Sequence, residues 1–283
     1  MKMADLMVGA GPSGPRRDVL KAAALAALVA GFSSFAAGTV LAQDGPVRVG
    51  IMAGEDEEVW KVVVDEAAKR GLTVETVVFS DYTQPNEALA QGEIDANAFQ
   101  HGPYLDAQVE AQGYEITPAG FTALWPIGLY SRKHESVADL PEGATIGVPN
   151  DPSNEGRALR LLQDQGLIVL AEDAGILATV ADITGNPKNL EITELDAGIV
   201  GRAVDDFDAA VVNTDWALKA GLDLEQDRIA QESIEDNPYR NFIAVRTADL
   251  EASWVEPLVA AYQNEVIRAA FDRVYRGAGV PAY

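Results

Sequence analysis

The chain has 283 residues, with 44 Asp and Glu against 21 Lys and Arg, and no cysteine. A net charge of −23 repels nucleic acid and anionic membrane surfaces, and without cysteine there is neither a disulfide nor a thiolate metal site. A chain of this length buries enough surface to fold without such staples.

Residues 1–42 read as an export segment rather than as fold. Arg16 and Arg17 precede an apolar run from Ala22 to Phe32, too short to span a bilayer but of the length found in signal peptides. Val40-Leu41-Ala42 fits the small-x-small cleavage rule, so the cut is expected after Ala42. "RRDVLK" also fits the twin-arginine export pattern; an ordinary secretory signal is the alternative. Residues 1–42 carry four basic and two acidic side chains, so residues 43–283 carry 17 against 42 and a net charge of −25. With no cysteine to acylate, the expectation is a periplasmic monomer with no lipid anchor.

"VRVGIMAG" (Val47–Gly54) is an apolar run stopped by glycine, the pattern of a buried strand. In the following segment Val59, Val62, Val63 and Ala67 share one helical face, and Gly71 stands at a C-cap position. "TVETVVF" alternates as a second strand, and Pro85 to Gly92 is a short helix. "IDANAF" and "PYLDAQVEAQG" repeat strand and helix. Such alternation predicts a mostly parallel sheet covered on both faces. "LWPIGLYS" (Leu124–Ser131) breaks the rhythm as an extended run. The alternation then restarts with the strand "ATIGVPN", the helix "SNEGRALRLLQDQG", the strands "LEITEL" and "DDFDAAVVNT", and the helix "DWALKAG". A second extended run spans Asn237–Thr247. The C-terminal part reads as one long amphipathic helical stretch, with Val255, Leu258, Val259, Tyr262 and Val266 at steps of three or four.

Two α/β units joined by two crossings form the hinged architecture of periplasmic binding proteins, type II-like. The expected division is 43–128 with 243–283 for the first lobe and 129–242 for the second.

No nucleophile elbow, zinc-protease motif or P-loop occurs, and "GIMAG" lacks the glycine pattern of a dinucleotide turn. The two histidines, His101 and His134, build no metal cluster, so neither metal nor cofactor nor catalytic residues are assigned. Ligands of open α/β sheets sit beyond the carboxyl ends of the strands. Tyr82, Phe99 and His101 fall at such positions in the first half. Trp125 lies on the first crossing and Asn241 on the second. In the second half Asn154 and Arg157 open a helix and Asn213 ends a strand. Aromatic walls on one side, amides and an arginine on the other, suit a zwitterionic amino acid with an apolar side chain. A guanidinium near a helix start can hold a carboxylate through paired hydrogen bonds. Each residue alone has a plainer reading: Phe99 and Trp125 as core packing, Asn154 as a cap, Arg157 as an exposed helix residue.

"DYTQPNEALAQGEIDANAFQHGPYLD", "VPNDPSNEGRALRLLQDQGLI", "NPKNLEITEL" and "VVNTDWA" resemble the methionine-binding proteins of bacterial methionine ABC importers, the NlpA/MetQ type. The resemblance spans residues 47–283. It implies a two-lobed fold that binds methionine, or a related small amino acid, between the lobes and delivers it to an ABC permease and its ATPase subunit, without catalysis. It puts the ligand side chain among Tyr82, Phe99, His101 and Trp125. The ligand's amino and carboxylate groups fall on Asn154, Arg157, Asn213 and Asn241. Two departures stand out: the missing lipidation cysteine, and Trp125 where the family has a tyrosine. The reading from another class is an exported α/β enzyme acting on a small amino-acid-like substrate.

Overall fold

The computed structural model describes residues 45–283. The export segment and its cleavage site lie outside the described residues. None of the described helices is long and apolar enough to cross a membrane.

The first half winds through β1 (Val47–Met52), α1 (Glu55–Ala68), β2 (Val74–Phe79), α2 (Gln84–Ala90), β3 (Ala96–His101), α3 (Gly102–Gln112), β4 (Ile116–Phe121) and β5 (Ala123–Leu124). β1 is apolar and almost wholly buried because it pairs in parallel with a strand on each side, β2 and β3. The Val59–Val63–Ala67 stripe of α1 buries against it, together with Trp60. The chain then enters the second half with β6 (Gly128–Tyr130), β7 (Thr145–Pro149), α4 (Pro152–Asp164), β8 (Val169–Leu170), β9 (Ile183–Gly185) and β10 (Glu191–Leu195). It continues with α5 (Ala197–Val200), β11 (Ala209–Val212), α6 (Thr214–Lys219) and β12 (Arg228–Gln231). The return brings β13 (Asn241–Arg246), α7 (Val255–Tyr262), α8 (Glu265–Tyr275) and β14 (Val280–Pro281).

Two five-stranded sheets result, in the orders β2-β1-β3-β13-β4 and β10-β7-β11-β6-β12. Each has three parallel strands and two antiparallel pairings. The two extended runs explain the antiparallel pairings. The first run supplies β6, which inserts between β11 and β12 of the second sheet. The second supplies β13, which inserts between β3 and β4 of the first. Each sheet carries its own apolar core, one around Val49, Trp60, Leu258 and Phe271, the other around Ile146, Leu159, Leu162 and Val211. The molecule is therefore two mixed α/β lobes, the type II arrangement.

The long C-terminal helical stretch is in fact two helices. The side chain of Asn264 accepts hydrogen bonds from Val266 N and Ile267 N at 3.0 and 3.2 Å, capping α8 and ending α7 just before it.

Candidate functional site

The carboxyl ends of β1, β3, β7 and β11 converge on one cavity between the lobes. Tyr82, Phe99, His101, Trp125, Asn154, Arg157, Asn213 and Asn241 all line it. The local sequence explains how they are presented. β3 ends at His101, whose Nδ1 accepts the Tyr104 N–H at 3.2 Å and so caps α3. That bond fixes the ring: Nε2 carries the proton and points at Asn154 Oδ1, 3.4 Å away in the other lobe. Burial, and secondarily the Arg157 charge, lowers the His101 pKa to about 3, so the ring is neutral at physiological pH.

On the second lobe β7 ends in Pro149 and Asp151 caps α4 by accepting from Asn154 N at 3.0 Å. The Asn154 amide nitrogen also donates to both Asp151 oxygens, at 3.0 and 2.9 Å. Its Oδ1 accepts from Asn213 Nδ2 at 2.9 Å, which leaves Asn213 Oδ1 buried with no hydrogen bond among the described residues. Gly156, in the same helix, is required by a close approach: a Cβ there would stand 2.4 Å from the Ile176 carbonyl oxygen.

Arg157 is not an exposed helix residue; it is 3% exposed. Its Nε donates to both Glu232 oxygens at 3.1 and 3.0 Å, and its Nη2 donates to Glu232 Oε1 and to the Trp125 carbonyl at 2.8 Å. The guanidinium lies 4.3 Å from the Tyr239 ring centroid. The Nε–Nη2 edge that would grip a ligand carboxylate in a paired geometry is thus spent on Glu232. Nη1 makes no hydrogen bond among the described residues.

The apolar part of the cavity centres on Met52, Phe99 and Tyr104, with Tyr82 and Trp216 packed against them. Tyr82 lies 6.0 Å from Phe99 and 5.5 Å from Trp216, centroid to centroid, so the second lobe backs the aromatic wall from behind Tyr82. Trp125 packs on Phe271 and Tyr275 at 5.6 and 5.4 Å. Asn241 begins β13, pairs with His101 in register, and donates from Nδ2 to the Phe99 carbonyl at 3.0 Å.

Several lining residues escaped the sequence reading. Asp56 is buried at the start of α1, accepts from Tyr275 Oη at 3.2 Å, and has its pKa raised by burial to about 7. Asp215 accepts a hydrogen bond from Tyr82 and lies 3.5 Å from Lys219. Both stand in the first turn of the helix that follows a strand, among 44 acidic residues that give no cue to which of them are buried. Glu232 and Tyr239, which stand against Arg157 and not in the lining, were missed as well: Glu232 because β12 was not predicted, and Tyr239 because it was not singled out within the second extended run. Among the described residues no group of His, Asp and Glu is placed to hold a metal ion.

The sequence profile of the NlpA lipoprotein family matches residues 47–283. A nutrient-binding protein from Burkholderia cenocepacia, solved bound to methionine, is 51% identical; the match covers 84% of this chain and all of that one, with a TM-score of 0.82. The D-methionine-binding lipoprotein MetQ of Escherichia coli is 41% identical over 92% of this chain and 97% of its own. The probable D-methionine-binding lipoprotein MetQ of Vibrio cholerae is 44% identical over 84% and 88%. These findings correct one expectation. The absence of a lipid anchor was inferred from the absence of cysteine, but the matched family is one of lipoproteins and its relatives carry that designation, which implies an anchor. Two lobes closing on a cavity lined by rings, amides and one buried arginine agree with that profile along the whole described fold, and the chain belongs to the NlpA lipoprotein family.

Proposed function

We propose that this chain is the periplasmic solute-binding protein of an ABC importer, that it binds methionine between its lobes, and that it hands the ligand to the membrane permease driven by its ATPase. It is a transport protein and not an enzyme. The observation that carries the ligand reading is the polarity of the cavity. One end holds Arg157 Nη1 and Asn213 Oδ1, neither hydrogen-bonded among the described residues; the other is walled by Tyr82, Phe99 and Tyr104.

In this reading Arg157 Nη1 donates to the ligand carboxylate, and Asn213 Oδ1 and Asn241 Oδ1 accept from the ammonium. Asn154 acts by orienting Asn213 and His101. The thioether lies against the rings, where each sulfur–aromatic contact contributes about 0.3–1.5 kcal/mol. His101 serves as a neutral wall. Trp125 supports Arg157 through its carbonyl and closes the cavity beside Tyr275. The proposed moving units follow the expected division of 43–128 with 243–283 and 129–242, shifted by one or two residues so that β6, from Gly128, stays with the second lobe and β13, from Asn241, with the first. The methionine-bound relative, at 51% identity over its full length, supports the ligand class.

Calorimetric titration of protein freed of ligand by unfolding and refolding, against a panel of amino acids, tests the reading. Methionine is expected to bind most tightly, one per chain. Preference for a different amino acid, or no binding of any, would overturn it.

A further inference from the structure

We propose that Glu232 is a specificity-determining residue: by clamping Arg157 and cancelling its charge, it makes the cavity select net-neutral zwitterions over anions. The proposal rests on the methionine reading above.

Glu232 follows β12, 75 residues along the chain from Arg157. Its Oε1 accepts the Ile127 N–H at 3.0 Å, which ties it to the first crossing between the lobes. From there its carboxylate receives Nε and Nη2 of Arg157. Both side chains are nearly inaccessible, at 3% and 9% exposure. Of the five guanidinium N–H groups, one on Nε and two on Nη2 are committed to Glu232 and the Trp125 carbonyl. Only Nη1 remains for a ligand. Its orientation is set by the clamp and by the Tyr239 face beneath it.

The electrostatic consequence follows from burial. An unpaired buried arginine would favour any anion that fits, whereas a buried Arg–Glu pair carries no net charge toward the cavity. The other nearby charges do not restore a positive field. Asp215 is offset by Lys219 at 3.5 Å and His101 is neutral, while Glu55 and Asp56 add only acidic groups to the lining, which disfavours a bare anion further. A ligand that brings its own ammonium with its carboxylate adds no net charge to this enclosure. A bare carboxylate does. Glu232 thus discriminates between the two although its side chain is turned toward Arg157.

The test uses three probes of one shape: methionine, the anionic 4-(methylthio)butanoate, which lacks the ammonium, and the cationic methioninamide. Affinities are measured for the parent, E232Q and the double variant R157Q/E232Q. In E232Q the affinity for 4-(methylthio)butanoate relative to methioninamide is expected to rise at least tenfold. In the double variant, where both charges are gone, that ratio should return to within about threefold of the parent value. Should E232Q fail to fold, the double variant decides alone. A tenfold loss of the anionic probe relative to the cationic one on removing both charges would show that Arg157 acts as an unpaired cation, and would overturn the proposal. So would a folded E232Q with unchanged selectivity while the parent binds methionine. Absence of methionine binding by the parent would instead overturn the functional reading, and this proposal with it.

Discussion

Tyr82 of the first lobe donates a 2.5 Å hydrogen bond to Asp215 of the second, so the lobes are tied at the cavity wall by a phenol and a carboxylate. Beside it, Lys219 of α6 packs near Gly54 of the β1–α1 turn; a Cβ at Gly54 would lie 3.4 Å from the Lys219 Cε. Gly54 has a φ of 106°, a conformation glycine adopts without strain. Opening the lobes breaks this bond and returns its groups to water, so the bond favours the closed form that holds the ligand.

Tyr82→Phe removes the tie and leaves Asp215 with Lys219 alone. A hydrogen bond to a charged group is worth about 1.5–3 kcal/mol, so methionine affinity should fall about ten- to hundredfold, with reduced ligand-induced compaction. Calorimetry paired with solution scattering measures both. Parent-like affinity and compaction would remove this contact from the closing mechanism.

Arg157→Ala should damage folding as well as binding. The substitution leaves Glu232 buried without its partner, a change that costs about 3–5 kcal/mol in comparable pairs. Urea unfolding of the ligand-free variant should show a midpoint well below that of the parent, and titration should show methionine binding lost. A variant with parental stability would mean that Glu232 finds water or another donor at once.

Asp56 and His101 give opposite pH dependences. Burial holds the Asp56 proton up to about pH 7, whereas in the unfolded chain it leaves near 3.8. The folded state therefore binds more protons between these values, and stability is lost as pH rises from about 4 to 7. Tyr275, Tyr262, Asp215 and Lys219 are the groups that share this surrounding. The His101 pKa runs from 6.5 in the unfolded chain down to about 3 in the fold, so its contribution is lost as pH falls through that interval. The two slopes oppose each other between about pH 4 and 6.5. Asp56→Asn removes the first, so its unfolding free energy should rise more steeply than the parent's over that range. Urea midpoints at half-unit pH steps decide; parallel curves for the two proteins would refute the Asp56 assignment.

The sequence made the parallel cores visible because β1 and β7 are apolar runs closed by glycine or proline and β3 is a short run closed by His101, each followed by a helix. It hid β4, "ITPAGF", whose Pro118 and Gly120 are strand-breaking residues made tolerable by its place at the sheet edge. It hid β12, whose four residues are no more than half-buried. The break between α7 and α8 was missed because an asparagine cap, not a glycine or proline, marks it. At the site, rings and amides at strand ends were legible because such residues are sparse in this chain. Asp56, Asp215 and Glu232 were not, since 44 acidic residues look alike until tertiary packing buries a few of them. The exposure assigned to Arg157 failed for the same reason: its partner lies 75 residues away.

The measurement that bears most directly on the central claim is a crystal structure of the protein grown with methionine. The account predicts one methionine in the inter-lobe cavity, its carboxylate within hydrogen-bond distance of Arg157 Nη1, its ammonium on Asn213 Oδ1, and its sulfur against Tyr82 and Phe99. The Arg157–Glu232 pair should be intact. Methionine bound elsewhere, or seated with its carboxylate on a displaced Arg157 that has released Glu232, would contradict it.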